Sequence, residues 1–303
     1  MAETNNYQLV IDSKKDLSGL PDEVIQAAAD EAQSRGKDGK WVFTLHNASV
    51  MPFLQYANNR ELRQEIWNAY QSRGDHGNSH DNSTIISQLA SLRAERAKLL
   101  GYDSHAAYVL EERMAKTPEN VYKLLDQLWE PALEKAKAEE ADIAKLMAAD
   151  GITGPVQPYD WRYYTEKIRK QRFDLDEQEV KPYFSLENVR EGIFTVTGNL
   201  YGLKYKLLTN VPVYHPDVTA WEVTEKDGRH LGILYMDFFP RASKKGGAWM
   251  TSFRKQYIMD GERIAPVISI VCNFSKPTAG NPALLTFDAV SYTHLTLPTI
   301  CSV

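Results

Sequence analysis

The chain has 303 residues, 43% hydrophobic and 25% charged, a composition that excludes a disordered polypeptide and allows a sizeable buried core. Forty acidic against thirty-five basic residues leave a formal net charge of -5, which argues against a nucleic-acid or anionic-membrane partner, and no run of about eighteen apolar residues exists to span a bilayer. The opening MAETNNYQLVID has no basic or apolar signal region, and two cysteines, Cys272 and Cys301, make no disulfide framework, so the expected compartment is the reducing cytoplasm.

From Asp22 to about Asp150 the chain reads as helices with short breaks. PDEVIQAAADEAQSRG has Pro21 at its start, acids in the first turn and Gly36 as its stop. WVFTLH (Trp41 to His46) is a short strand candidate. In NNRELRQEIWNAYQSRG, Leu62, Ile66 and Tyr70 fall four apart and therefore on one face. The polar loop DHGNSHDNST follows, where Asp81, Asn82 and Ser83 can cap a helix ending near Gly101. Thr117 opens the longest helix with Pro118 at its first position; Asn120 stands where a capping box needs Glu or Gln, and Pro131 is expected to kink it.

GITGPVQPYD is a connection, followed by the helix WRYYTEKIRKQRF and another from Leu186 to Tyr201. Beyond that, Lys204 to Leu208, Ala220 to Thr224, Leu231 to Phe238 and Val267 to Asn273 are strand-like. The expected fold is mainly α (α+β), with a helical region over 1–201 and a small antiparallel or mixed sheet over 202–290.

Local chemistry is sparse. The seven histidines form no HExxH, the spacing that sets two zinc ligands on one helical face around a glutamate, and there is no CxxC, GxSxG or P-loop. His76 and His80 sit four apart, but in a Gly- and Asn-rich loop that reads as solvated. Glu134, Glu139, Glu140 and Asp142 alternate with lysines as on an exposed helix face. Two stretches stand out. YMDFFPRASKKGGAWM leaves a strand through Pro240 into a basic loop, where Gly246 and Gly247 permit close backbone approach to a ligand; an ordinary surface hairpin fits as well. PVISIVCNFSKP is a β-branched strand ending at Asn273, which also suits a plain core strand. On these residues alone, a helical binding or scaffold protein without catalysis remains open.

Taken in order and spacing, YDWRYYTEKIRKQRFDLDEQEVKPYFSLENVREGIF, LGILYMDFFPRASKKGGAWM, VCNFSKP and PALLTFDAV resemble the thimet oligopeptidase and peptidyl-dipeptidase family of zinc metallopeptidases, over about residues 5 to 290. The resemblance implies a helical, clam-like enzyme whose channel admits short peptides and excludes folded proteins, a peptidyl-dipeptidase releasing C-terminal dipeptides or a close oligopeptidase relative. It also implies substrate contacts at Gly246, Gly247 and Trp249, and at the strand Val271, Cys272 and Asn273, whose backbone would pair with an extended peptide as edge strands do. In that family the helix that opens like LLTFDAV runs on into HEFGH, which supplies zinc ligands and the glutamate that activates a metal-bound water. Those residues would lie past Val290. The expectation is therefore an inactive internal fragment of a zinc enzyme, with no zinc bound to the fragment itself.

Ser291 onward breaks the pattern. SYTHLTLPT resembles the translation of a transposon-end adapter from short-read sequencing libraries, so residues 291–303 are expected to be non-native, His294 to be no zinc ligand and Cys301 to carry no redox information. Genomic DNA encoding SYTHLTLPT after Val290 in an independent assembly would refute this.

Overall fold

The computed structural model describes residues 2–174, 177–277, 282–287 and 289–290. The adapter-like segment 291–303, with His294 and Cys301, and also Asp288, lie outside the described residues.

A first core forms where two short strands, β1 (Leu9–Ile11) and β2 (Trp41–Phe43), pair antiparallel with Leu9 opposite Phe43. Three helices close over them: α2 (Asp22–Ser34), α3 (Asn47–Tyr56) and α4 (Arg60–Gln71), which follow α1 (Ala2–Asn6) and β1 in the chain. The small Ala28 of α2 enters this core, together with Phe43, Val50, Phe53 and Ile66. Leu62 and Tyr70 pack against it beside Ile66, as their four-residue spacing requires. β1 was not foreseen: three residues carry too little alternation, and the pairing with β2 is what makes the strand.

Next come α5 (Ser83–Leu99), α6 (His105–Leu110) and α7 (Pro118–Ala149). Asp81, one residue before the N-cap Asn82, accepts from the Ser83 N–H at 2.8 Å at the start of α5, while Asn82 itself makes no side-chain cap bond. Thr117 Oγ1 accepts from the Asn120 N–H at 3.4 Å, so the incomplete capping box still starts α7. α7 continues as one helix through Pro131. α8 (Pro158–Phe173) begins three residues before the expected Trp161, because Asp160 reaches back to accept from the Gln157 N–H at 3.1 Å. Ile143 and Met147 of α7 pack against Tyr163 and Tyr164 of α8.

A buried ion cluster ties α8 to α4. Asp160 is fully buried and accepts from Arg60 Nε at 2.9 Å, Arg60 Nη2 at 2.7 Å and Arg63 Nη2 at 3.2 Å. Arg63, 1% exposed, also donates to the Ala57 and Tyr159 carbonyls, so the charge enters the interior with its hydrogen bonds made.

After α9 (Glu177–Val180) and α10 (Leu186–Tyr201) come the strands β3 (Lys204–Leu208), β4 (Thr219–Thr224), β5 (His230–Asp237), β6 (Trp249–Arg254), β7 (Tyr257–Met259), β8 (Glu262–Ile264) and β9 (Val267–Val271). A five-stranded mixed sheet has the order β3-β4-β5-β9-β6, with β5 and β9 parallel and the other neighbours antiparallel; β7 and β8 form a separate hairpin. Leu186 and Val189 of α10 form one core with Cys272, Phe274 and Leu285, and Ile193 and Ile270 pack against it. The protein is mainly α in an α+β arrangement. β6 and the β7–β8 hairpin were not foreseen, and β9 ends at Val271, two residues before the expected Asn273. Among the described residues no helix is long and apolar enough to cross a membrane.

Candidate functional site

The end of β5 sets the position of everything around the basic loop. Asp237, its last residue, is 1% exposed, a place where a carboxylate survives only with partners. Arg241 grips it with a two-pronged contact, Nη1 to Oδ1 at 2.8 Å and Nη2 to Oδ2 at 2.9 Å. Lys244 Nζ donates to Asp237 Oδ1 at 2.9 Å, to the Asp237 carbonyl at 2.9 Å and to the Phe239 carbonyl at 2.8 Å. Burial alone would raise the Asp237 pKa; the hydrogen bonds from Arg241 and Lys244 outweigh it and hold the carboxyl below its ordinary range. Burial lowers the Lys244 pKa, with Asp237 pulling it back. The chain leaving β5 is thus folded back over the strand end and fixed there.

The loop is held from a second side. Asn273 Nδ2 donates to the Lys245 carbonyl at 2.9 Å and to the Gly247 carbonyl at 2.7 Å, and Trp249 stands opposite Val271 in the β6–β9 register. The six residues expected at the site therefore come together: Gly246, Gly247 and Trp249 along one segment, Val271, Cys272 and Asn273 alongside. Gly247 has φ +95°, which favours glycine, whereas a Cβ at Gly246 would meet open space.

The structure changes what the strand can do. β9 is not an edge: Val271 is paired with Asp237 on one side and Trp249 on the other, and the Cys272 N–H already donates to the Asp237 carbonyl at 2.8 Å. The side chain of Cys272 is buried in the α10 core. Among the described residues the sheet ends at β3 on one side and at β6 on the other, and β6 is the edge next to β9 and the basic loop. WMTSFR gave no strand signal because it lacks apolar alternation, and its pairing slips between Ser252 and Arg254. Nothing in YMDFFPRASKK marks the Asp237–Arg241–Lys244 salt bridge, which only the fold-back creates.

Beside the loop, a cleft of about 190 Å³ separates it from the first core; Asn5, His46, Arg73, Lys245 and Gly246 are among the residues lining it. Among the described residues no carboxylate lines it, and the Asn5 side-chain amide donates to the Ala242 carbonyl at 2.9 Å. Burial lowers the His46 pKa, favouring the neutral imidazole. His76 bonds Glu3 through Nδ1 at 3.1 Å and Ser72 through Nε2 at 3.0 Å, a surface tie in a non-helical loop.

Among the described residues, no three His, Cys, Asp or Glu side chains gather as a metal ion requires. These residues do not fit zinc, and no hydrolytic step can be assigned to them. What they build is a strand end pinned by Asp237, Arg241 and Lys244, a backbone edge along β6 and a basic turn held by Asn273.

The profile of peptidase family M3 matches residues 53–294, which include that strand end and turn. The chain belongs to peptidase family M3. It is 38% identical over 291 residues to the dipeptidyl carboxypeptidase of Escherichia coli (strain K12), covering 96% of this chain and 42% of that protein. It is 32% identical over 292 residues to oligopeptidase A of Salmonella typhimurium, covering 95% and 43%. Organellar oligopeptidase A of Arabidopsis thaliana is 33% identical over 301 residues, covering 95% and 38%. The chain thus spans about two fifths of the length of these curated relatives.

Proposed function

We propose that this chain is part of a zinc-dependent peptidase that hydrolyses short peptides, releasing C-terminal dipeptides, and that its own contribution is substrate-binding surface rather than the metal centre. Membership of family M3, with a dipeptidyl carboxypeptidase and oligopeptidases among its relatives, carries this reading. The geometry supports a role for the open edge of β6: an extended peptide adds to such an edge through main-chain hydrogen bonds. In this arrangement Gly246, Gly247 and Trp249 face the peptide, while Val271, Cys272 and Asn273 act one strand further in, holding β6 and the turn in register. Zinc belongs to the longer protein, and the 303 residues alone are inactive.

The test compares this chain with the product of the complete gene on a blocked short peptide, with and without a chelator. The complete protein is expected to release dipeptides and to lose activity with the chelator. The chain alone is expected to show no hydrolysis and no one-to-one zinc uptake in equilibrium dialysis. Tight stoichiometric zinc binding by the chain, or a complete protein without chelator-sensitive peptidase activity, would overturn the proposal.

A further inference from the structure

The arm formed by α5, α6 and α7 carries an apolar surface that the described residues leave bare. On α7, Tyr122, Leu125, Trp129 and Leu133 recur every three or four residues and so form one stripe. Leu124 and Leu128 widen it to about half the circumference, and Lys123, Asp126, Gln127, Glu130 and Glu134 occupy the other half. Trp129 is 65% exposed and Leu125 51%. On α5, Ile85, Leu89 and Leu92 form a matching stripe, and all three are exposed.

Such spacing marks a helix face made to be buried, yet the burial is missing. The buried residues of α7 are Ile143 and Met147, near its C-terminal end, and α5 buries Ala97 alone. Helices draw most of their stability from packing an amphipathic face, and soluble proteins rarely leave so wide an apolar surface in water.

We infer that this face is an internal surface of the whole protein, covered by apolar helix faces from the part of the polypeptide outside these 303 residues. Length identifies the occupant. The relatives match over 96% and 95% of this chain, yet the match accounts for only 42% and 43% of theirs, so a protein of their size holds more than half its residues elsewhere. The inference is independent of catalysis.

The test is thiol labelling of Trp129→Cys in a Cys301→Ser background, where the fully buried Cys272 stays silent. In the 303-residue chain, Cys at 129 should react with a maleimide as fast as an unstructured thiol. In the complete protein it should be slowed by about a hundredfold or more, as a group that reacts only on local opening. Amide exchange over 118–133 in the two unsubstituted proteins gives the same comparison without a variant, and it should be slower in the complete protein. Equal labelling and equal exchange in both would overturn the inference. So would a dimer of the complete protein whose dissociation alone restores both rates, because the occupant would then be a second copy.

Discussion

Replacing Lys244 with methionine tests whether the fold-back after β5 is held as the geometry indicates. The side chain is 2% exposed, and its ammonium makes three hydrogen bonds of 2.8 to 2.9 Å. Lys244→Met leaves the Asp237 carboxylate buried with Arg241 as its remaining cation and strips the Phe239 carbonyl of its Lys244 hydrogen bond. Breaking a buried pair by deleting one partner costs roughly 3–5 kcal/mol. The two-pronged Arg241 contact stays, so the lower end, about 3 kcal/mol, is expected. With an m-value of about 1–3 kcal/mol per molar urea, the unfolding midpoint should fall by roughly 1 M or more. Urea titration followed by circular dichroism measures this, and amide exchange should quicken over 241–248 while β3 stays unchanged. A midpoint within about 0.3 M of the parent, with an unaltered slope, would refute the reasoning. The pH dependence has a definite sign. Asp237 is held below the ordinary carboxylate range, so its contribution is complete above that range and is lost as pH falls through the lower folded pKa. In Lys244→Met the folded pKa of Asp237 moves back toward the ordinary carboxylate value, so the acid-side loss should be smaller and end at higher pH.

Three other measurements bear on the fold. Asp160→Asn strands the buried Arg63 charge and should cost about 3–5 kcal/mol in thermal unfolding; a loss under about 1 kcal/mol would show that the cluster is not a charged pair. A Cβ at Gly232 would sit 2.8 Å from the Pro266 carbonyl, which accepts from the Ile233 N–H at the start of the β5–β9 pairing. Gly232→Ala should therefore cost about 1–3 kcal/mol and speed exchange at Ile233, and unchanged stability would contradict the close approach. Finally, Glu3 is held at a pKa of about 2 by the Gly74 N–H first, then Asn78 and His76. The tie between α1 and the loop at 74–78 should thus be intact above the usual carboxylate range and come apart as pH falls through about 2. A carboxyl titration of Glu3 by NMR with its midpoint near the unperturbed value of ~4.3 would disprove the tie.

Much of the helical part was legible because its signals are local. Leu62, Ile66 and Tyr70 declare a face by spacing alone, Thr117 and Pro118 mark a helix start, and the limits of β3 follow from KYKLL between turn residues. The two stretches that hold Gly246, Gly247, Trp249, Val271, Cys272 and Asn273 stand out in the sequence, and the structure places them side by side. Four things depended on contacts between distant segments. β1 exists because Leu9 meets Phe43. Arg63 is buried because Asp160, nearly a hundred residues on, meets its charge. The apolar stripe of α7 was written in the sequence, but only the tertiary arrangement leaves it uncovered among the described residues. Which strand is the edge was likewise undecidable from Val271 to Asn273: a strand's backbone groups are open or occupied according to its neighbours, and those neighbours, Asp237 and Trp249, come from elsewhere in the chain.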